Sequence, residues 1–347
     1  DPVLLWVPVL LMFFGLIMVY SASIALPDSP KYHNYSRYSF FIKHALSIGV
    51  GLFVALLGLK TSTETWQKLA PVGLIVAIVL LVIVLIPHVG LRVNGARRWL
   101  PLGIMNFQPS ELMKLAACFY AADFCVRKNA DIRDITKGIL PMVVVLGMTS
   151  LLLLLEPDMG ALMVIAMITL GVIFLGGVNY KVFGALFATM VTAFLALVIF
   201  TPWRAKRIFA YLNPWDEENA QGGAYQLTQS LIAFGRGELW GQGLGASVQK
   251  MFYLPEAHTD FIMAVIGEEF GLLGVWAVIA AFTLLVYKLF MVAREAMVFE
   301  RNFQALAVQG IAIWFGVQSF INIGVNMGML PTKGLTLPFI NYDGSAL

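Results

Sequence analysis

Apolar runs about 20 residues long, the length a helix needs to cross a bilayer, recur along the chain. They cover 3–26, 40–59, 70–87, 108–126, 138–155, 159–177, 181–200, 261–288 and 304–328. A tenth run opens near Leu335 and reaches only Leu347, so its helix is expected to be truncated there. The first run flows into "MVYSAS" with no charged leader and no clear cleavage site, which predicts a retained span rather than a removed signal. The chain opens on Asp1 rather than Met, and both ends read as trimmed. The pattern predicts an all-α polytopic membrane protein, with a single transmembrane domain over 1–347. Most connections are short. The exception is the long loop 201–260 between the seventh and eighth spans.

Composition agrees. The chain is 59% apolar and only 12% charged, with a mean hydropathy of +0.82, too little charge for a soluble domain of 347 residues. Cys118 and Cys125 stand seven apart on one predicted helix, about 10.5 Å along its axis, which is too far for a disulfide. Orientation rests on loop cations. One side holds ten, namely Lys60, Lys68, Arg127, Lys128, Arg133, Lys137, Lys181, Lys288, Arg294 and Arg301. The other side holds twelve, but five of them (Arg204, Lys206, Arg207, Arg236 and Lys250) lie in the long loop, which escapes the rule. The short loops then score ten to seven, placing the first set and the N-terminus in the cytoplasm and 201–260 outside.

A loop of that length in a compact fold is usually functional. Its stretch "AYQLTQSLIAFGRG" has helical spacing and predicts a partial helix on or dipping into the membrane. "GRGELWGQGLG" is either a flexible turn or a place where backbone amides approach an anion.

Charges in or beside spans are costly and need a reason. Asp260, Ala264, Gly267, Gly271 and Gly274 fall on one face of a continuous helix, small except for the carboxylate, so Asp260 is expected to point into the protein. Helix capping by Thr259 or Asp260 is the ordinary reading of the same residues. Glu111 and Lys114 are three apart and are expected to pair, as a structural tie or to present Lys114 to an anionic substrate. Arg97 and Arg98 in "GARRWL", and Arg204, Lys206 and Arg207 in "PWRAKR", combine cations with Trp. That suits interfacial anchoring or a pyrophosphate site. Asp158 is expected to cap the helix after it. Glu268 and Glu269 lie deep enough that at least one needs a partner.

Several segments together resemble the SEDS family (shape, elongation, division, sporulation), nearest its cell-division branch. They are "MVYSAS", "GARRWLPLG", "NFQPSELMKLA", "EPDMGA", "PWRAKRIFAYLNPW", "YQLTQSLIAFGRGELWGQGLG", "YLPEAHTDFI" with "GEE", and "MLPTKGLTLPFI", in family order over nearly the whole chain. There are departures. Asn341 and Asp343 stand where the family's tenth helix opens with Ser-Tyr-Gly-Gly-Ser, and Ala246 stands where Asn is frequent.

The resemblance implies a ten-helix fold with an extracytoplasmic active site, in the bacterial inner membrane at the division septum. It implies a glycosyltransferase that polymerises lipid II, with Asp260 catalytic. Gln108, Gln226, His258 and Lys333 join Arg97, Arg98, Glu111, Lys114, Arg204, Lys206 and Arg207 as candidate substrate contacts. A class B penicillin-binding transpeptidase and other divisome membrane proteins are the implied partners, with no nucleic acid. A divalent cation, Mg or Mn, is implied by the resemblance alone. The residue types suit such chemistry: a carboxylate to take a hydroxyl proton, and cations for a departing pyrophosphate. A lipid-precursor flippase and a non-catalytic scaffold are the competing readings. The partner helix is expected on the eighth and ninth spans, where Gln309, Gly316 and Phe320 fall near one face that suits equally a partner helix or packing inside the protein.

Overall fold

The computed structural model describes residues 1–343 except 31, 94, 102, 104, 105, 132, 133 and 333. Lys333, Arg133 and the last four residues of the expected tenth helix therefore lie outside the described residues. In chain order the helices are α1 (Pro2–Ser23), α2 (Ser39–Lys60), α3 (Thr63–Leu85), α4 (Pro109–Arg127), α5 (Leu140–Leu155), α6 (Met159–Leu175), α7 (Tyr180–Ile199), α8 (Pro202–Leu212), α9 (Glu217–Gln221), α10 (Tyr225–Gly237), α11 (Ile262–Val298) and α12 (Asn302–Asn326). Among the described residues, seven helices are long and apolar enough to cross a membrane, and α6 is apolar but shorter. The chain is thus a multi-pass membrane protein.

Local chemistry sets the helix ends. Ser62 caps α3, its hydroxyl accepting from the Thr65 amide at 3.3 Å, so this helix starts seven residues before the expected 70. Pro opens α4, α5 and α8, where its missing N–H costs nothing. A short antiparallel sheet, not foreseen from the hydrophobic pattern, joins α3 to α4. It comprises β1 (Leu91–Val93), β2 (Ala96–Pro101) and β3 (Asn106–Phe107), in that order. The sequence Asn94-Gly95 between β1 and β2 is a strong two-residue hairpin signal.

The chain divides into two compact units. The second, 50–191 with 286–317, is organised around α4. This helix carries Glu111, Lys114, Asp123 and Arg127, and the first three are buried. A helix with that much charge is stable there because each buried charge is paired. Asp123, for example, accepts from Arg127 at 2.6 Å and from Gln67 at 3.3 Å. Small residues let α12 approach closely. A Cβ on Gly310 would stand 3.0 Å from Val172 of α6 and 3.3 Å from Cys118 of α4. Both cysteines are free and buried, as their spacing requires.

The first unit, 1–49 with 192–285 and 318–347, contains the long loop. The partial helix expected there is α10, which is packed inside this unit. Leu227, Ser230 and Ala233 are buried, and the Ser230 hydroxyl donates to the Asn326 carbonyl at 2.7 Å.

The eighth span differs from the continuous helix expected. It runs to Val298 rather than 288 and breaks at Gly271, whose φ of 65° is outside the helical region. The shared face from Asp260 to Gly274 is therefore interrupted. The glycine-rich segment fills the break. Gln242 and Gly243 amides donate to the Glu268 and Glu269 carbonyls at 2.9 and 3.0 Å. Leu272 and Leu273 amides donate to the Glu238 and Leu239 carbonyls at 2.9 and 3.3 Å. A broken helix in a membrane protein is tolerated when its freed backbone groups are re-satisfied in this way. The Gln242 and Gly243 amides are thus spent on carbonyls of α11.

Close approach explains two of its glycines. A Cβ on Gly241 would lie 2.2 Å from the Glu269 carbonyl oxygen, and one on Gly237 only 1.9 Å from that of Gly267. Gly237→Ala is expected to push α10 off α11 and to cost at least the 1–3 kcal/mol typical of overpacking, roughly. A thermal midpoint equal to wild type in detergent would contradict the close packing.

The expected tenth helix is absent among the described residues. Residues 334–343 run as turns and irregular chain. This segment packs on α1, where a Cβ at Gly15 would fall 2.7 Å from the Ile340 Cα.

Candidate functional site

In the first unit the site is built around Asp260, on the turn that leads into α11. The residue is half-buried. Its backbone carbonyl accepts from two side-chain amides of α12, Asn322 and Asn326, each at 3.0 Å. Its carboxylate faces the "LPTKGL" segment, since a Cβ on Gly334 would lie 3.0 Å from Oδ2. Glycine at 334 keeps that space open beside the carboxylate. The same segment is sewn to α12 by Gln318, donating to the Thr336 carbonyl at 2.8 Å, and by Asn322, donating to the Leu335 carbonyl at 2.6 Å. The departure at Asn341 has a use here, because its amide donates to the Thr259 carbonyl. The Thr259 hydroxyl turns back to the Glu256 carboxylate at 2.8 Å rather than to α11, so Thr259 is not the helix cap.

His258 is buried and packs edge-on to Phe40, ring centroids 5.2 Å apart, with Tyr342 at 5.8 Å. Gln226 lies half-buried on α10. Arg204, Lys206 and Arg207 share α8, whose Tyr211 hydroxyl donates to the Met329 carbonyl at 2.8 Å. That bond ties α8 to the chain four residues before Lys333. Lys206 pairs with Glu218 at 3.6 Å, both exposed, an interaction worth little.

Beside this turn lies a buried ionic clasp that spacing did not reveal. Lys250 Nζ meets Glu269 Oε1 at 2.7 Å, the Ser21 hydroxyl at 2.9 Å and the Gly245 carbonyl at 2.8 Å. Glu268 accepts from the Ser247 hydroxyl at 2.6 Å and from the Val248 and Gln249 amides at 3.1 and 3.2 Å, and pairs with Arg236 at 3.1 Å. Both adjacent glutamates therefore have partners, and these hold the 245–250 loop onto α11 at Glu268 and Glu269.

In the second unit, Glu111 and Lys114 pair at 2.6 Å. Lys114 is fully buried, with Nζ 5.5 Å from the Trp314 ring centre. Gln108 donates to Asp158 Oδ2 at 3.1 Å and to the Ser110 hydroxyl at 2.9 Å. Asp158 caps α6 as expected, with Oδ1 accepting from Ala161 at 3.1 Å. Arg98 donates to the carbonyls of Glu156 and Pro157, at 3.3 Å for Glu156. Arg97 reaches the Leu85 carbonyl at 3.4 Å. In this unit Arg98 works first as a brace for the "EPD" turn.

Glu156 opens that turn. It is fully buried, and among the described residues neither carboxylate oxygen has a hydrogen-bond partner. Burial, and next the charge of Asp158, push its pKa up to about 8, with Arg98 opposing. A group raised in the folded state from 4.5 contributes stability that is fully present below 4.5 and is lost as pH rises through about 8. Wild type is therefore expected to melt at progressively lower temperature across that window, and Glu156→Gln to flatten the decline. An unchanged slope in the variant would contradict the assignment.

Among the described residues no three His, Cys, Asp or Glu side chains are grouped to hold a metal ion.

The fold and site together define a multi-pass membrane protein with a carboxylate held at the head of a broken helix. The chain belongs to the Cell cycle protein family, that of FtsW, RodA and SpoVE, whose family model matches residues 2–347. It is 57% identical over 347 residues to the "Probable peptidoglycan glycosyltransferase FtsW" of Burkholderia thailandensis, covering all of this chain and 75% of that protein. It superposes with a TM-score of 0.78 on a chain solved for the structural coordination of polymerization and crosslinking by a peptidoglycan synthase complex. That chain is 27% identical, with 100% of this chain and 93% of that one covered. The Rod shape determining protein RodA of Thermus thermophilus matches with a TM-score of 0.69 and 25% identity, covering 100% of this chain and 91% of that one.

Proposed function

We infer that this chain is a peptidoglycan glycosyltransferase of the cell-division type, polymerising lipid II into glycan strands. The observation that carries the reading is Asp260, whose backbone carbonyl is held by two buried amides and whose carboxylate lies beside Gly334, in a chain that matches a probable glycosyltransferase along its whole length.

The acceptor's sugar hydroxyl gives its proton to the Asp260 carboxylate as its oxygen attacks C1 of the donor sugar. The C1–O bond to the lipid pyrophosphate breaks, and the pyrophosphate leaves with the bonding pair. The base raises the nucleophilicity of the hydroxyl, while cations on the departing phosphates lower the barrier electrostatically. Arg97, Arg204, Lys206 and Arg207 are the candidates for that role. Arg98 acts there only if it gives up its hold on the Glu156 turn. Two lipid-tethered substrates meeting at a fixed carboxylate turn an encounter into an oriented reaction.

The active side is extracytoplasmic, in the inner membrane at the septum, and the partner is a class B penicillin-binding transpeptidase working with other divisome membrane proteins. A groove of about 340 Å³ in the second unit, lined by Gly171, Phe187, Phe290, Ile313 and Gly316 among others, supports placing the partner's helix on the late spans. Gln309 of the expected face is instead buried, and its amide donates to Met297.

The test is the purified chain in liposomes with lipid II supplied. A glycosyltransferase makes polymer that Asp260→Ala does not. Transbilayer movement of lipid II without polymer would establish the flippase reading instead.

A further inference from the structure

Asn326 places its carboxamide between two backbone groups that would otherwise bond to each other. Its Nδ2 donates to the carbonyl of Asp260 at 3.0 Å, and its Oδ1 accepts from the amide of Ala264 at 3.2 Å. Residues 260 and 264 are the i and i+4 pair that would close the next turn if α11 wound one step further toward its N-terminus. The turn stays open, and the Ala264 amide also reaches back only to the Phe261 carbonyl at 3.0 Å. Asn322, one turn earlier on α12, donates to the same Asp260 carbonyl at 3.0 Å, filling the second lone pair of that oxygen. Both asparagines are buried, at 0% and 1% exposure. They are braced by each other, with Asn326 donating to the Asn322 carbonyl at 2.9 Å.

We propose that Asn322 and Asn326 are positioning residues, a side-chain insert that holds Asp260 outside the first turn of α11 and thereby fixes where its carboxylate points. The proposal rests on the reading of Asp260 as the base. An ordinary cap supplies only an acceptor for the free amides at a helix start. Here an acceptor is present for Ala264, but two donors are also aimed at the Asp260 carbonyl, which capping does not require. Their effect is to occupy the carbonyl that the helix would claim. Without them the 260–264 bond can close. Winding a residue into an α-helix sets its side-chain direction by the helical repeat, about 100° from one residue to the next. The carboxylate would then swing away from Gly334 and the space that glycine preserves.

The insert also explains why these amides sit at four-residue spacing on α12. Gln318, Asn322 and Asn326 form one row, with Gln318 and Asn322 holding the 335–336 carbonyls and Asn322 and Asn326 holding Asp260. One row of one helix thus registers both walls of the site.

The experiment uses the full chain with its transpeptidase partner and lipid II as the probe. Asn326→Leu removes both halves of the insert at nearly constant volume, and Asn322→Leu removes the second donor. A misplacement of about 1 Å can cost on the order of 10²-fold in rate. The expected result is a fall of that size in kcat for Asn326→Leu and a smaller one for Asn322→Leu, with the KM for lipid II little changed. A second readout needs no activity. In an Asp260→Cys background, the alkylation rate of the introduced thiol by a small maleimide is expected to shift several-fold when Asn326→Leu or Asn322→Leu is added. If Asn326→Leu does not fold, the kcat and alkylation of Asn322→Leu decide. A kcat near wild type, a loss confined to KM, or an unchanged alkylation rate would overturn the insert. If Asp260→Asn itself polymerises lipid II, it is the reading of Asp260 that fails. If Asp260→Asn is inert while the asparagine variants are fully active, the insert alone fails.

Discussion

Lys250→Met is expected to lose about 3–5 kcal/mol of stability, the cost of leaving a buried charge without its partner. Lys250 and Glu269 are 2% and 0% exposed at the side chain, 2.7 Å apart, and Ser21 donates to Glu269 at 2.7 Å. A loss of that size is a large part of the roughly 5–15 kcal/mol that ordinarily holds a domain folded. The variant should therefore be recovered poorly from membranes and melt early in detergent. Glu269→Gln should behave alike. The double variant Lys250→Met with Glu269→Gln leaves no unpaired charge and should recover much of the loss. A double variant no better than the worse single one would show that the clasp is not a coupled pair.

The second large effect is on chemistry alone. Asp260→Asn preserves the shape of the side chain and the backbone carbonyl held by α12, but its amide cannot take a proton. Removal of a general base typically costs about 10²–10⁴-fold, so polymerisation should drop to background. Thermal midpoint and capture of the transpeptidase should stay at wild-type values, because Asp260 is half-buried, the amide keeps the side chain's size, and the backbone carbonyl held by Asn322 and Asn326 is unchanged. A variant that loses activity together with folding would place Asp260 in the structure rather than in the reaction.

The long helices were legible because hydrophobic run length reports directly on membrane-spanning segments. The helix start at Asp158, the Glu111–Lys114 pair and the partial helix at 225–237 were legible because each depends on neighbours in sequence. The dipeptide Asn94-Gly95 carried a local turn signal too, in a stretch too short and polar to register as an apolar run.

What the sequence could not show is long-range. Lys250 meets Glu269 only because Gly241 and Gly243 let the loop pair with a helix broken at Gly271. No periodicity marks that break, since apolar residues continue on both sides of it. The face running from Asp260 to Gly274 assumed a straight helix and failed for that reason. Asn322 and Asn326 did carry a signal, two amides four apart on an apolar helix. It could be read equally as a surface for another protein or as internal packing, and only the position of the Asp260 carbonyl distinguishes the two.

The central claim is that this chain joins sugars and does so through Asp260. The most direct measurement is glycan length on a gel, from the purified complex fed lipid II with the transpeptidase blocked by penicillin. Only uncrosslinked strands can then form. The account predicts a ladder of linear strands from wild type and none from Asp260→Asn at equal protein. Strands of wild-type amount and length from Asp260→Asn, or none from a folded wild-type complex, would contradict it.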